Sequence, residues 1–336
     1  MRVVAAVALM AVAVWFVGPE RLRRQLTAVD PVWLCCAVLA AAASQWVSVL
    51  RWETIARIFG LRVRTRALAL AYAQGMTVNV LLPGATLGGD ALRSVRLQGL
   101  GNPLGVSALT VLLDRLSGLW ILFVLSLLSG IGLVFALGLP AELRADSLPA
   151  AMPGGATLAA SRQLLWGYLV ALALVCAIPW LPLRPRRVAS PDPADAGAHG
   201  IAALATRWWN RVCQLHELAV AQRTALGRSL WSSLVVQALC ALTLWCCAIA
   251  AGGTAGYWQV QAVAAPIFVA GALPLSYGGF GARELVALAA FPLVGLPADL
   301  GLAASALYGI VGIILGLAAA PSFALSGMRP SGGAGL

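Results

Sequence analysis

Two segments of the chain place a proline, paired glycines and charged side chains inside otherwise apolar sequence. Residues 82–93 read LPGATLGGDALR, and residues 273–284 read LPLSYGGFGARE. A glycine-rich break leaves free backbone N–H groups at the start of the helix that follows, and such helix starts bind anions. Arginines beside both breaks add positive charge. These residue types predict recognition of an anionic group on an apolar molecule, such as a lipid phosphate.

The remaining candidates are charged residues inside apolar segments, where charge is costly and tends to mark function. They are Asp90, Arg93, Arg96, Asp114, Arg115, Arg283 and Glu284. Asp90, Arg93 and Arg96 recur every three residues and therefore share one helix face. We expect the charged groups to pair with one another inside the protein. Two interpretations stay open: an ion-pair network that only braces the structure, or a cavity that also contacts substrate.

The elements that position these residues are helices in a membrane. Of the 336 residues 61% are hydrophobic and only 10% are charged, with a mean hydropathy of +0.88, whereas soluble domains average about 25% charged residues. The sequence predicts an all-α polytopic membrane protein. Segments long enough to span a bilayer are 3–18, 31–50, 105–139, 163–183, 228–251 and 299–326. The net charge of +11 fits cytoplasmic arginines and anionic headgroups better than nucleic acid.

Two further apolar stretches are short and broken. One joins 67–82 to 84–98, and the other joins 259–273 to 281–296. Irregular backbone at membrane depth must line a cavity or be buried in protein, so we expect two re-entrant helical hairpins and about eight membrane segments in all. Arginines that we assign to the cytoplasm, including Arg51, put both termini inside and make the hairpins enter from opposite faces, as an inverted repeat.

The chain is predicted to form one membrane domain over residues 1–326. Residues 184–227 form a cytoplasmic loop with an amphipathic helix from Ile201, and 327–336 form a disordered tail. Ser276 has no Gly-x-Ser-x-Gly frame, both histidines fall in the cytoplasmic loop, and no Cys-x-x-Cys or nucleotide-binding loop is present. No catalytic residue, metal site or cofactor is therefore predicted.

Several short motifs together resemble the lysylphosphatidylglycerol synthase transmembrane-domain family, a flippase-like family. The matching positions are Asn79 with Pro83 and Gly84, then Gly88, Gly89, Asp90 and Arg93, then Asp114, Arg115 and Gly118, and finally Pro274, Ser276, Gly278, Gly279, Gly281, Arg283 and Glu284. Arg51-Trp52 also fits. The resemblance implies an inner-membrane protein that moves lipids or supports their biosynthesis. The catalytic domain that full-length synthases of this type carry is not expected in these 336 residues.

The leading hypothesis is a bacterial inner-membrane flippase or transporter for an anionic phospholipid or a polyprenyl-linked lipid. The headgroup would bind between the two hairpin tips, near the matching residues named above. One alternative is a non-catalytic partner of a lipid- or glycolipid-modifying enzyme. Another is a membrane enzyme that acts on a lipid-linked sugar.

Overall fold

The computed structural model describes residues 29–81, 87–136, 158–177, 223–273 and 280–327. These residues form helices joined by turns, and none of them lies in a β-strand. The helices are α1 (Pro31–Ile58), α2 (Thr65–Leu81), α3 (Leu87–Gln98), α4 (Leu104–Ala136), α5 (Leu158–Ala177), α6 (Arg223–Ala250), α7 (Tyr257–Ala272), α8 (Ala282–Ala290), α9 (Ala298–Ala318) and α10 (Ser322–Gly327). A 3-10 turn, Phe291–Val294, follows α8.

The prediction of an all-α membrane protein is confirmed. Four helices of the described residues are long and apolar enough to cross a bilayer: α1, α4, α6, and α9 together with the start of α10. A shorter apolar stretch, Gln163–Ala177, lies in α5. The protein is therefore a multi-pass membrane protein. The predicted segment 3–18, the amphipathic helix from Ile201 and the tail beyond Gly327 lie outside the described residues.

Helix α1 begins with a complete N-terminal cap and extends beyond its predicted end. The Asp30 carboxylate accepts hydrogen bonds from the backbone N–H groups of Val32 and Trp33, and Pro31 occupies the first turn, where no N–H partner is needed. The helix then continues to Ile58, eight residues past the predicted span 31–50. It continues because Arg51 is buried and paired inside the bundle, so an arginine at this position does not mark the membrane surface.

Helices α1 and α6 pack side by side in opposite directions. The N–H of Asp30 donates to the carbonyl of Ala250 at one end, and Arg51 contacts Ser233 nearer the other end. α6 begins at Arg223, so its start replaces the last residues of the predicted loop 184–227. The largest apolar core lies around α6, α7 and α9. Its fully buried members include Leu244, Cys247, Ile267, Phe291 and Ala303.

Two pairs of short helices approach the bundle from opposite ends. The α2–α3 pair begins near the end of α1, where the Thr65 hydroxyl donates to the Glu53 carboxylate at 2.8 Å. The α7–α8 pair begins at the other end, where α6 terminates, and the Gln259 amide donates to the Val294 carbonyl at 2.9 Å. The second helices of the pairs have only 12 and 9 residues.

A proline inside α7 leaves a gap in the helix hydrogen bonds that neighbouring helices fill. Pro266 has no N–H, so the carbonyl of Ala262 four residues earlier has no partner within the helix. The Tyr168 hydroxyl of α5 donates to that carbonyl at 2.7 Å. One residue away, the Ser126 hydroxyl of α4 donates to the Gln261 carbonyl and accepts from the Ala265 N–H. These bonds fix the position of α7 against α4 and α5.

Candidate functional site

A buried aspartate lies at the centre of the main charge cluster, which consists of Arg51, Asp90, Arg93, Asp114 and Arg115. Nε of Arg51 donates to Oδ1 of Asp114 at 2.8 Å, and Nη2 of Arg93 donates to Oδ2 at 3.0 Å. The three side chains are only 6%, 1% and 2% exposed, for Arg51, Asp114 and Arg93 in turn. One carboxylate thus holds two guanidinium groups from α1 and α3 against α4.

The second carboxylate of the main charge cluster lies nearer the surface. Nε and Nη2 of Arg115 donate to the two oxygens of Asp90, each at 2.9 Å, and Nη1 of Arg93 adds a third contact at 3.3 Å. The Arg115 side chain is 42% exposed and that of Asp90 is 17% exposed. The cluster therefore has a sealed inner ion pair and an accessible outer one, and Arg93 touches both carboxylates.

Aromatic rings hold Arg93 in place. Its guanidinium carbon lies 4.1 Å from the centre of the Trp52 ring and 4.4 Å from that of Tyr72, distances at which a cation and a ring attract. The indole N–H of Trp52 donates to the Thr110 hydroxyl at 3.2 Å, which fixes the ring. Among the described residues the Nε of Arg93 has no hydrogen-bond partner, and its two Nη groups each contact one carboxylate.

The glycine pair before Asp90 allows α2 and α3 to approach closely. The backbone N–H of Gly89 donates to the side-chain oxygen of Asn79 at 2.8 Å. A Cβ atom on Gly89 would overlap the carbonyl oxygen of Gly75 and that same Asn79 oxygen, whereas one on Gly88 would only touch Val78. The glycine at position 89 is thus what brings Asp90 and Arg93 within reach of α4.

The second pair of broken helices carries its own buried ion pair. Nη2 of Arg283 lies 2.7 Å from Oε1 of Glu284, and Ser305 of α9 contacts both side chains. The other carboxylate oxygen, Oε2, accepts the N–H of Gly281 at 2.6 Å. Gly281 has φ +95°, a conformation that favours glycine, and it is the N-cap residue of α8. The guanidinium also lies 5.3 Å from the Tyr308 ring.

A cysteine and a tyrosine lie near the second ion pair. Cys240 of α6 lies beside Ser44 of α1 and Tyr308 of α9. Tyr308 in turn neighbours Arg283. The described residues contain no group of three or more His, Cys, Asp or Glu side chains that could hold a metal ion. The charged side chains of the two sites form ion pairs and donate hydrogen bonds to carboxylates.

Comparison with known proteins agrees with this architecture. A family model described as the lysylphosphatidylglycerol synthase TM region matches residues 3–320. The chain belongs to this family. A UPF0104 membrane protein of Methanothermobacter thermautotrophicus is 29% identical over 133 residues, a match that covers 39% of this chain and 39% of that relative. The chain thus aligns with well under two thirds of the relative's length.

The structure brings together some of the residues that the family motifs singled out. Asp90, Arg93, Asp114 and Arg115 form one cluster with Gly88, Gly89 and Asn79 beside it, and Arg283 and Glu284 pair with each other near Gly281. The other predicted members, Pro83, Gly84, Ser276, Gly278 and Gly279, lie outside the described residues. An anion site between the two hairpin tips therefore stays a prediction.

One charged residue lies elsewhere than predicted, and four side chains that contact the charged sites were not predicted. Arg51 was expected beyond the end of its helix, but it lies within α1, buried against Asp114. The expectation is wrong because an arginine with a buried acidic partner can remain inside the bundle. Trp52, Tyr72, Ser233 and Ser305 had not been singled out as site residues. For Trp52, the match of Arg51-Trp52 to the family motif was the one available signal.

Proposed function

We propose that this protein moves an anionic phospholipid or lipid-linked intermediate between the leaflets of a bacterial inner membrane. The observation that carries the proposal is the charge of the main charge cluster, which has three guanidinium groups and two carboxylates, a net charge of +1. An uncompensated positive charge inside a membrane protein is costly unless an anion accompanies it. The phosphate of a lipid headgroup is the anion that a membrane supplies in quantity.

The depth of the cluster supports this function. Arg115 lies 11 residues after the start of α4, about 16 Å along the helix, and Asp90 lies 8 residues before the end of α3, about 12 Å. Half the thickness of the hydrocarbon core is about 15 Å. With these two helix ends placed at the membrane surface, a headgroup held here would be midway between the two leaflets, which is where a translocation pathway must provide polar contacts.

The short helix pairs give such a pathway a structural basis. α3 and α8 are about 18 and 14 Å long, too short to cross a hydrocarbon core of about 30 Å. We therefore interpret α2–α3 and α7–α8 as re-entrant hairpins that enter from opposite faces, among about eight membrane segments. Paired broken helices of inverted orientation are typical of transporters, whose binding sites lie near their tips. The distribution of arginines along the sequence favours cytoplasmic positions for both termini.

A reconstitution experiment tests the proposed function. Purified protein is placed in liposomes that contain a headgroup-labelled phosphatidylglycerol or polyprenyl phosphate, and the fraction of label that an impermeant reductant can reach is followed over time. Translocation predicts that the reachable fraction rises above that of empty liposomes. The variant Arg93→Gln is expected to lower the rate at which this fraction rises. Folded protein that gives the rate of empty liposomes for every lipid of the panel would contradict the proposal.

A second function deserves a direct comparison because the family is defined on the membrane region of a synthase. In that case the protein would be a non-catalytic partner of a separate lipid-modifying enzyme. It would co-purify with that enzyme, and an Arg283→Ala variant would still support the pathway in cells. Loss of the pathway in Arg283→Ala, with normal co-purification, would favour translocation.

A further inference from the structure

We propose that Asp90 occupies the lipid-binding face of Arg115, and that an anionic headgroup displaces it on binding. This inference rests on the proposed function and names the contact that the headgroup makes. A carboxylate and a phosphate both offer two oxygens to a guanidinium group, and arginine binds either in the same two-bond geometry. Asp90 is therefore an internal substitute for the ligand.

The contrast between the two carboxylates of the main charge cluster supports this exchange. Asp114 is 1% exposed and each of its oxygens is bonded to a buried arginine, so a ligand has no access to it. Asp90 and Arg115 are 17% and 42% exposed. The outer pair can thus open without disturbing the inner pair, because Arg93 keeps its bond to Asp114 when Asp90 moves away.

The surface beside Arg115 has the character expected for lipid chains. Leu112, Leu116 and Leu119 lie on the same side of α4, at positions −3, +1 and +4 from Arg115, and all three are between 36% and 50% exposed. A charged side chain among exposed leucines at this depth would be costly against hydrocarbon alone. A bound lipid would match both the arginine and the leucines, since its phosphate reaches the arginine while its acyl chains lie against the leucines.

The charge balance of the cluster predicts whether loss of the Asp90 carboxylate strengthens or weakens headgroup binding. Binding of one monoanionic headgroup would bring the main charge cluster from +1 to zero. Removing the carboxylate of Asp90 would raise the empty cluster to +2 and free both bonds of Arg115. The headgroup would then bind without having to displace a competitor. A residue that merely braced the site would behave in the opposite way, because its loss would disorder Arg115 and weaken binding.

Binding measurements on Asp90→Asn in a neutral detergent test the proposal. The probes are dihexanoyl phosphatidylglycerol, dihexanoylglycerol as an analogue without phosphate, and inorganic phosphate. Asp90→Asn is expected to bind the phosphatidylglycerol about tenfold more tightly than wild type, the equivalent of one charge-assisted hydrogen bond. The affinity for the neutral analogue should not increase. Asp30→Asn is the matched control, because it removes one carboxylate at the far end of α1 and keeps a good N-cap.

Each result of these binding measurements supports or overturns the exchange of Asp90 for a headgroup. Unchanged or weaker binding by folded Asp90→Asn overturns the exchange, even if wild type binds and moves the lipid. Equal tightening for inorganic phosphate overturns a lipid as the ligand. Wild-type protein that binds no phosphate probe at all overturns both this inference and the proposed function. Asp90→Ser provides a second variant, which removes the charge with a smaller polar side chain. If neither variant folds, Asp90 is a brace that cannot leave Arg115, and the exchange is overturned.

Discussion

At the residue scale, the inner half of the main charge cluster is a set of buried charges that depend on one another. Asp114 lies between two arginines that are themselves almost completely buried. Burial of a charge is costly, and only the opposite charge nearby compensates that cost. Removing the shared carboxylate would leave two guanidinium groups without their main partner at the same time.

Asp114→Asn is therefore expected to lower the free energy of unfolding by about 3–5 kcal/mol, the range for breaking a buried ion pair. Unfolding of the purified protein in mixed micelles by increasing amounts of a denaturing detergent measures the change. The control Asp30→Asn removes an exposed carboxylate and should stay within about 0.5 kcal/mol of wild type. A similar small loss in Asp114→Asn would mean that water or lipid, and not Asp114, compensates Arg51 and Arg93.

The pairing of these residues could be predicted, but the individual partners could not. Charges inside apolar sequence are expected to pair with opposite charges, and on this basis the sequence predicts Asp90, Arg93, Asp114 and Arg115 in one interior network. Arg51 lies 63 positions before Asp114. Their contact depends on how α1 packs against α4, and no local pattern encodes that packing.

At the element scale, the distance between α2 and α3 depends on one of two adjacent glycines. Gly89→Ala would force its new methyl group into the carbonyl oxygen of Gly75 and the side chain of Asn79. We expect a loss of about 1–3 kcal/mol in unfolding free energy, typical of overpacking, together with slower lipid translocation because Asp90 and Arg93 move with α3. The same micelle unfolding and liposome assays measure both effects.

Gly88→Ala is the control for this change. Its Cβ would lie 3.4 Å from one methyl group of Val78, an ordinary contact. Alanine also favours the helix more than glycine does, so stability should be unchanged or slightly higher. Equal losses for the two variants would show that chain flexibility at the glycine pair, rather than close packing at position 89, is what the protein requires.

Helix boundaries show where hydropathy is informative and where it fails. The long apolar helices were predicted to within a few residues at their starts, because burial in lipid demands uninterrupted apolar sequence. The end of α1 was missed because an arginine interrupts that pattern while remaining buried. The glycines and prolines of the two broken segments predict breaks at the tips between the paired helices. Residues 82–86 and 274–279 lie outside the described residues, so the structure does not test the predicted tip geometry.

At the scale of the whole molecule, the two ends of the bundle should face opposite sides of the membrane. Gln98 ends α3 at the end where α1 terminates, and Thr254 lies beyond α6 at the other end; both are exposed. In a background without the native cysteines, Thr254→Cys should react with an impermeant maleimide added to spheroplasts. Gln98→Cys should react only after the membrane is permeabilised.

The reverse labelling pattern would invert the topology and contradict the predicted cytoplasmic position of the two chain termini. Labelling of both positions from the same side would contradict the opposite entry of the two helix pairs. The signal of each variant is compared with that of the cysteine-free parent, which corrects for labelling of lipids and other proteins.

The excess positive charge of the main charge cluster also connects the protein to the voltage across the membrane. A site that selects a headgroup of charge −1 carries one negative charge per lipid, and a potential of 100 mV acts on that charge with about 2.3 kcal/mol. An inside-negative potential therefore favours outward movement without any nucleotide. In liposomes with a potassium diffusion potential, phosphatidylglycerol should accumulate in the positive-side leaflet, while zwitterionic phosphatidylethanolamine should not respond. The resting potential of the cell would then be the energy source for asymmetry.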